Sequence, residues 1–383
     1  MKEEAACNEK ITTRKGEVTM KRTLSVVLGA AMVFSLAACG GKGGDPSSET
    51  KAQNAEADTA NTASADPGLE TEITSTDPIT IRLAYDVAES HPSHKAFVEK
   101  FQNALQNASN GNITVELYPN SQLGSLAENM EAMRIGDLEM AALNDSIVAG
   151  IVPEYNLVGL PFLWTSLDAA HEAMDGDFGQ ALDKKLEEQA GITTLAWGDV
   201  GFRNLTNSKH SVTSPDDLKG LKIRVQDMKS QTDMMKALGG IPVAMSYGDV
   251  YTSLQTGIID GTENNETALT TGKHGEICKV YSTDQHAMIP DVMVMSAKVW
   301  KEISPEDQQI ILEAARESTE SHKIAWDTAI DQAIEEAKNT MGVEFVNDVD
   351  KEAFREATSG MINDYCTQYP GVKKLLDIID SVE

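Results

Sequence analysis

Early in the folded part of the chain, apolar positions follow two alternating spacings. Every second residue is apolar in 79–85 and again in 113–117, which predicts strands with one buried face. A helical stripe lies between them over 97–108, a second helix is expected over 125–135, and an apolar run follows at 138–143. This succession of strands and helices is typical of a mainly parallel sheet covered by helices on both faces.

A similar succession recurs later in the chain. Ser214-Pro215-Asp216-Asp217 has the composition of a helix start, with an N-cap serine, a proline in the first turn and acids near the positive end of the dipole. It precedes a strand over 221–225, a helix that ends at the glycines 239–240, a short strand over 241–243 and a helix over 249–256. Two such units predict two sheets, and therefore two lobes.

One helix is predicted to be much longer than the others. Ser304-Pro305-Glu306-Asp307 opens a helical pattern that runs to about residue 340 without Gly or Pro. At 1.5 Å per residue this helix is about 55 Å long, more than the width of one lobe. We therefore expect it to lie across both lobes and to limit their movement. From Val343 onward the pattern returns to strand and helix.

The beginning of the chain has the pattern of an export signal. Residues 20–22 are basic at two of three positions, and 24–38 are apolar or small throughout but too few to cross a bilayer. They end in Leu36-Ala37-Ala38-Cys39-Gly40, which resembles the bacterial lipobox, although an ordinary cleavage site ahead of a cysteine is the alternative. Because the preceding residues are polar, we expect Met20 to be the true start. We also expect Cys39 to be lipidated and the protein to lie outside the cytoplasm, anchored to the cell membrane.

Residues 40–77 are expected to be a flexible tether. They contain two Lys against eight Asp and Glu, with almost no aliphatic side chains, so they cannot bury enough apolar surface to fold. A flexible coil of this length has an end-to-end distance of about 35 Å. That distance suits a globular part that must turn near a membrane.

Two cysteines remain in the folded part, Cys278 and Cys366. In an exported protein they could form one disulfide or stay as two free thiols. Their spacing is not that of a metal site, and we favour buried free thiols.

Composition narrows the function class. The chain has 383 residues, enough for two domains, and 41% of them are hydrophobic. Its 32 Lys and Arg against 60 Asp and Glu give a net charge of -28, which disfavours nucleic acid as a partner. A small anionic ligand stays possible, because distant carboxylates are largely screened beyond the Debye length of about 8 Å.

Signatures of catalysis and of cofactors are missing from the sequence. It has no phosphate-cradling glycine loop and no His-Glu-x-x-His, and the segment Ala244-Met245-Ser246-Tyr247-Gly248 lacks the first glycine of a nucleophile elbow. His91 and His94 have no third ligand nearby, so a metal site is disfavoured. We expect no enzyme activity, no cofactor and no metal.

Two arginines are the candidate binding groups. Arg203 lies in Gly201-Phe202-Arg203-Asn204, and alternation places Arg224 on the face of its strand opposite Ile223 and Val225. An arginine on an otherwise apolar strand needs an anionic partner. That partner could be a carboxylate of the protein in a structural salt bridge, or the carboxylate of a ligand held by a bidentate fork.

A wider set of motifs resembles the solute-binding proteins of tripartite ATP-independent periplasmic (TRAP) transporters. The resemblance covers residues 79–340 in order. Its motifs are His91-Pro92, Tyr118-Pro119-Asn120 with Gln122-Leu123-Gly124, Leu160-Pro161-Phe162-Leu163, Gly201-Phe202-Arg203-Asn204, residues 217–225, residues 237–242 and residues 249–264. It implies a two-lobe α/β protein of the periplasmic-binding-protein type, with two mixed sheets flanked by helices and a long helix spanning both lobes.

The resemblance also implies roles for particular residues. The carboxylate-binding arginine of the family falls on Arg224, and a second pocket arginine falls on Arg203. The pocket asparagine falls on Asn264, and Tyr247 matches a commonly aromatic position that packs on the ligand, with ordinary core packing as the alternative. Asn265, which follows Asn264, makes the segment similar to the branch that binds hexuronates and related sugar acids.

A hydroxylated acid also needs neutral polar partners from the first lobe. The candidates are His91, Lys95, Asn144 and Asp145, and the alternative for each is capping or surface solvation. Asp145 would repel a carboxylate but could accept hydrogen bonds from sugar hydroxyls.

The expected organisation is a first lobe over about 78–200 with later return segments, a second lobe over about 201–300, and the spanning helix over about 304–340. The expected partners are a small organic acid, the small and large membrane subunits of a TRAP permease, and the membrane through the lipid anchor, with the protein itself a monomer. Three alternatives stay open: a receptor for C4-dicarboxylates or keto acids, an enzyme acting on such acids, and a surface adhesin.

Overall fold

The computed structural model describes residues 78–198 and 201–382, which belong to one compact unit. The signal, Cys39 and the tether expected over 40–77 lie outside the described residues. Within the described part, none of the helices is both long and apolar enough to cross a membrane.

The first sheet has five strands in the order β2-β1-β3-β10-β4. Strand β1 pairs in parallel with β2 and β3, whereas β10 pairs antiparallel with β3 and β4. The sheet is therefore mixed, and its return strand comes from late in the chain. The strands are β1 (Ile79–Ala84), β2 (Ile113–Tyr118), β3 (Met140–Asn144), β4 (Ile192–Gly198) and β10 (Asp291–Ser296).

Helices cover both faces of this sheet. They are a π-helical turn (His94–Glu99) that continues into α1 (Lys100–Ala108), α2 (Leu126–Ile135), α3 (Asp145–Ala149), a 3-10 turn (Pro153–Leu157), α4 (Leu167–Asp175) and α5 (Asp177–Ala190). Helix α2 shows why these segments are helical. The Ser125 hydroxyl accepts from the amide of Glu128, and Gly136 ends the helix at φ 84°, where a residue without Cβ is favoured.

The second sheet has six strands in the order β11-β9-β5-β8-β6-β7. Strand β6 pairs in parallel with β7 and β8, and β5 pairs antiparallel with β8 and β9. The strands are β5 (Phe202–Asn207), β6 (Lys222–Val225), β7 (Ile241–Ala244), β8 (Gly261–Asn264), β9 (Val280–Met288) and β11 (Glu344–Val346). Short helices connect them: 3-10 turns (Pro215–Leu218, Tyr247–Asp249 and His274–Glu276), α6 (Lys229–Ala237), α7 (Val250–Gln255) and α8 (Thr267–Thr270).

A 35-residue helix joins the two lobes. This helix, α10 (Pro305–Asn339), follows the short α9 (Ala297–Trp300) and is capped by the Ser304 hydroxyl, which accepts from the amide of Asp307 at 3.1 Å. Its first half packs Ile310 and Ile311 in the core beneath the first sheet, and near its end Ala337 packs with residues of the second lobe. The predicted spanning helix is therefore confirmed.

Three helices complete the chain: α11 (Lys351–Thr358), α12 (Met361–Gln368) and α13 (Pro370–Val382). Phe354 of α11 and Tyr365 of α12 are buried in the largest core, which contains side chains of both lobes. The C-terminal segment thus ties the two lobes together on a second side.

Most predicted elements are present, and the two mixed sheets flanked by helices confirm the expected fold class. Two local differences stand out. The helix start at Ser214 produces only the four-residue 3-10 turn, because a short loop leads directly into β6. Strand β10 (Asp291–Ser296) pairs in the first sheet, although its residues fall in the range expected for the second lobe.

Cys278 and Cys366 form no disulfide bond within the described part of the chain. Cys278 is buried, as favoured from the sequence, and Cys366 is only half-buried. Burial raises the pKa of the Cys278 thiol to about 12, so it stays protonated and unreactive at neutral pH.

Gly261 begins β8, the strand that ends at the predicted pocket residue Asn264. A Cβ at this position would lie 2.7 Å from the Cβ of Asn207 and closer still to the carbonyl oxygen of Thr206 on β5. We expect Gly261→Ala to lower the free energy of unfolding by about 1 to 3 kcal/mol, because the strands would have to separate. Urea denaturation of both proteins measures this.

The matched control is Gly360→Ala, since Gly360 has φ -74° and a Cβ there meets nothing within 4 Å. Its stability should change by less than about 0.5 kcal/mol. Equal losses in the two variants would contradict the close approach of β5 and β8.

Candidate functional site

A cavity of about 540 Å³, partly open to solvent, lies where the two sheets face each other. The first lobe, the second lobe and helix α10 all contribute side chains to its wall. The lining residues are Asp86, Val87, His91, Asn144, Arg203, Arg224, Gln226, Tyr247, Asn264, Asn265, Thr267, Ala268, Ile289, Asp291 and Trp326.

Arg224 is the cation of this cavity that lacks an acidic partner among the described residues. It lies on β6 between Ile223 and Val225 and is only 3% exposed. Its Nε and Nη2 donate to the carbonyl oxygen of Met245 at 3.1 and 2.9 Å, whereas Nη1 is buried without a partner. Burial lowers the pKa of Arg224 to about 10, which still leaves it charged at neutral pH.

Arg203 also lines the cavity, but its guanidinium is largely used inside the protein. Its Nε and Nη2 form a bidentate pair with the Glu263 carboxylate, and Nη2 also donates to the Glu263 carbonyl at 2.7 Å. Nη1 donates to the side-chain oxygen of Asn264 at 3.1 Å. Of its five N–H groups, one therefore stays available to a ligand. Of the two partners considered from the sequence, a protein carboxylate therefore occupies most of the hydrogen-bonding capacity of Arg203.

A buried network continues from Glu263 to His286 and Asp284. His286 lies 3.4 Å from Glu263 through Nε2 and 2.7 Å from Asp284 through Nδ1. Burial alone would lower the pKa of His286, but the charge and hydrogen bond of Asp284, with those of Glu263, raise it to about 9. Burial would raise the pKa of Glu263, but Arg203 and His286 lower it to about 2. Two cations and two anions compensate each other, so the network offers no free positive charge to the cavity.

Asn264 ends β8 at the cavity, and Asn265 directly follows it. The Asn264 side-chain oxygen accepts from Arg203 and from the amide of Asn265 at 2.9 Å, which leaves its NH₂ as the group for a ligand. Asn265 accepts from the amide and the hydroxyl of Thr267 and thereby starts α8. Both predicted residues line the cavity, with Asn264 offering a donor.

Tyr247 lines the cavity in the turn after β7. Its ring lies 5.7 Å from that of His274, and burial raises the pKa of the phenol to about 12. A neutral phenol next to Arg224 can pack on a ligand and donate one hydrogen bond.

The four residues expected from the first lobe divide into two pairs. His91 and Asn144 line the cavity. Lys95 is exposed in the π-helical turn and is not among the lining residues, and Asp145 is fully buried behind Asn144. Neither Lys95 nor Asp145 forms the wall, because the turn directs one outward and α3 begins by burying the other.

His91 is a neutral hydrogen-bond donor in this wall. Its Nδ1 accepts from the amide of Ser93 at 3.2 Å, so the neutral ring carries its proton on Nε2. Burial lowers the pKa of His91 to about 4, which keeps the ring uncharged at neutral pH. Its neighbour His94 accepts or donates to the Tyr85 hydroxyl at 2.7 Å, and the described residues contain no acid, His or Cys cluster that could hold a metal.

Sequence reasoning missed five polar residues of the cavity wall: Asp86, Gln226, Thr267, Asp291 and Trp326. Asp86 and Gln226 directly follow predicted strands, and carboxyl ends of parallel strands commonly carry ligand contacts, so that signal could have found them. Trp326 is inside α10, where its indole Nε1 is buried without a partner. Nothing in a helical pattern distinguishes it from ordinary core.

The two acids of the wall carry strongly shifted pKa values. Burial raises the pKa of Asp86 to about 6, against a lowering by Arg224. Burial, with a further contribution from Asp86, raises the pKa of Asp291 to about 7, against a lowering by Arg203. Burial also raises the pKa of Asp145, which is fully buried next to Asp291, well above its usual value. The first lobe therefore presents an acidic wall opposite the arginines.

Comparison with known proteins gives consistent matches. A family model described as bacterial extracellular solute-binding protein, family 7, matches residues 83–368. The 2,3-diketo-L-gulonate-binding periplasmic protein of Escherichia coli K12 is 31% identical over 307 residues, or 79% of this chain and 92% of that protein. The C4-dicarboxylate-binding periplasmic protein of Rhodobacter capsulatus is 32% identical over 284 residues, or 74% of this chain and 82% of that protein.

One solved structure is also similar to this chain over most of its length. A TRAP periplasmic solute-binding protein from Pseudomonas putida F1 with bound D-glucuronate aligns with a TM-score of 0.75 and 35% identity. The alignment covers 80% of this chain and 98% of that one.

The raised pKa of Asp291 predicts a pH-dependent stability of the ligand-free protein. Its folded pKa of about 7 lies above the unfolded value of about 3.9, so its contribution is fully present below pH 4 and is lost as pH rises through 7. Asp291→Asn removes that loss. The melting temperature of the variant relative to wild type should therefore rise by at least about 2 °C between pH 5 and pH 8.

Thermal unfolding at the two pH values measures the effect. Asp331→Asn, at an exposed position of α10, is the matched control and should keep the same difference from wild type at both pH values. A pH-independent difference for Asp291→Asn as well would contradict the shift.

Proposed function

This chain belongs to bacterial extracellular solute-binding protein family 7, whose members include receptors of TRAP transporters, and from that premise we propose that it binds a hexuronate or a related sugar acid. The predicted family is thereby confirmed. The protein is a solute receptor that acts outside the cytoplasm and binds an organic acid for transport.

The observation that carries the proposal is the Arg224 guanidinium, which has no acidic partner among the described residues and whose Nη1 makes no hydrogen bond with them. A fully buried cation without an acid is costly unless a ligand compensates it. Each charge-assisted hydrogen bond to a carboxylate contributes about 1.5 to 3 kcal/mol, and two such bonds with neutral contacts support micromolar affinity. The free Nη1 of Arg224 and the NH₂ of Asn264 are the donors that we assign to the ligand carboxylate.

The rest of the cavity supports a sugar acid. Its wall carries uncharged polar side chains from both lobes and from helix α10, which suits a hydroxylated ligand. We assign the neutral donors of His91, Tyr247 and Trp326 to ring or chain hydroxyls of the ligand. Enclosure between the lobes would exclude water and strengthen these bonds.

The remaining expectations are also part of the proposal. We infer that the protein is a monomer without enzymatic activity and delivers its ligand to the small and large membrane subunits of a TRAP permease. The lipobox-like segment that ends at Cys39 supports a lipid anchor.

A C4-dicarboxylate is the alternative ligand, favoured by the similarity to the Rhodobacter capsulatus protein. It would need a second cation in the cavity. Among the described lining residues the other cation is Arg203, which is already paired with Glu263. A panel of uronates and C4-dicarboxylates, tested by the ligand-induced rise in melting temperature, separates the two classes.

Removing the Arg224 guanidinium should abolish binding without unfolding the protein. We expect Arg224→Ala to weaken binding of D-glucuronate and D-galacturonate by at least about 100-fold, since the buried positive charge and its hydrogen bonding to the ligand carboxylate are lost. Isothermal titration calorimetry measures the affinities, and circular dichroism checks the fold.

The control is Arg316→Ala, at an exposed position of α10, which should bind as wild type. Wild-type affinity in Arg224→Ala would contradict the assignment of Arg224 to the ligand carboxylate. Absence of uronate binding by the wild-type protein would contradict the proposed ligand class.

Lipidation is tested at Cys39. In a bacterial host that processes lipoproteins, the full-length protein should fractionate with membranes and incorporate labelled fatty acid. Cys39→Ala should appear in the soluble fraction without label, because the acyl attachment site is gone. Equal membrane association of both proteins would argue against the anchor.

A further inference from the structure

The two lobes present opposite chemistry to the cavity. The second lobe contributes Arg224, whose Nη1 lacks an acceptor among the described residues. The first lobe contributes Asp86, two residues after β1, and Asp291, the first residue of β10. Asp291 lies opposite Asn144 of β3 in the sheet register, so strand ends place the acids at one edge.

Neither acid is satisfied by a donor among the described residues. The side chain of Asp291 accepts no hydrogen bond from them, and the carboxylate of Asp86 receives one only from its own backbone amide. Both side chains are half-buried at the cavity wall. A carboxylate removed from water in this way needs hydrogen-bond donors from whatever fills the cavity.

Other charged groups around the acids do not supply those donors. Asp86 interacts electrostatically with Arg224, and Asp291 with Arg203 and Asp145, but no ion pair joins either acid to an arginine within the described part. Arg203 instead holds Glu263. The acceptors at this end of the cavity are therefore left for a ligand.

We propose that Asp86 and Asp291 determine specificity by accepting hydrogen bonds from ligand hydroxyls and by repelling a second carboxylate, so that the site selects polyhydroxylated monocarboxylates over dicarboxylates. This rests on the proposed function, since Arg224 must hold the single carboxylate at the other end. A hydroxyl-bearing carbon chain then extends from the cation to the acids and satisfies both. A dicarboxylate of the same length places its second charge against two acids.

Burial raises the pKa of Asp86 to about 6 and that of Asp291 to about 7, which agrees with acids that form no ion pair in the part of the chain that the structure describes. Near neutral pH, Asp291 is protonated in part of the molecules and can then also donate to a ligand oxygen.

The test compares D-glucuronate with D-glucarate, which has the same carbon chain but carries a carboxylate at each end. Calorimetry on the full chain measures both affinities for wild type, Asp86→Asn and Asp291→Asn. Wild type should prefer glucuronate by at least about 100-fold. Each Asn variant keeps the side-chain shape but loses the charge, so glucuronate binding should weaken about 10-fold and the preference should fall to about 10-fold or less.

Asp331→Asn is again the control and should keep the wild-type preference, and melting curves establish that each variant is folded. If wild type binds glucuronate and both Asn variants keep its full preference, the specificity role is wrong while the proposed function stands. If wild type binds neither D-glucuronate nor D-galacturonate, the proposed function and the specificity role both fail.

One further ligand tests whether Asp86 and Asp291 recognise a neutral hydroxyl or a cation. An amino sugar acid, 2-amino-2-deoxy-D-gluconate, offers an ammonium group in place of a hydroxyl. If 2-amino-2-deoxy-D-gluconate binds more weakly than D-gluconate, the result supports recognition of neutral hydroxyls by the two acids. Tighter binding in wild type, lost in Asp86→Asn and Asp291→Asn, would overturn it, because the acids would then be a site for a cation.

Discussion

The fold depends on how the protein compensates buried positive charge at the point where its lobes meet. Four ionised groups, Arg203, Glu263, His286 and Asp284, form a network that neutralises itself within the second sheet. Arg224 lies beside it with a carbonyl oxygen as its partner and without an acid among the described residues. Because the network already satisfies its own charges, the charge of Arg224 is the one left for a ligand. A protein that paired both arginines internally would have a stable core and no binding site.

The ends of several strands bring charged and polar side chains to the wall of the cavity. Parallel strands β1, β6 and β8 all end near the seam and carry Asp86, Gln226 and Asn264 to it, while β10 returns from late in the chain with Asp291. Each lobe therefore supplies one type of chemistry: donors and cations from the second, acids from the first. A ligand that meets both must carry a carboxylate at one end and hydrogen-bond donors at the other, which a sugar acid does.

Helix α10 makes the lobes mechanically dependent on each other. It packs against the first sheet over its first half, against the second lobe near its end, and contributes Trp326 to the cavity between those contacts. His91 of the first lobe lies 6.1 Å from the Trp326 ring, so the helix and the first lobe form a continuous surface there. Trp326 therefore places part of the cavity wall on the element that joins the two lobes.

The sequence by itself determined the elements, the two-lobe class and the long helix, because periodicity encodes these directly. The resemblance to TRAP solute-binding proteins implied Arg224, Arg203, Asn264 and Asn265 as pocket residues, and all four line the cavity. The sequence did not decide which arginine is free. That depends on Glu263, which is 60 residues from Arg203 in the chain and is brought to it by the pairing of β5 with β8. Nor did it identify the acidic wall, since Asp291 reaches the first lobe only through the antiparallel return of β10. Lys95 and Asp145 show the converse, because residues near the site in sequence turn outward or into the core. Spacing along a chain specifies local structure, whereas the compensation of a buried charge is settled by contacts between distant segments.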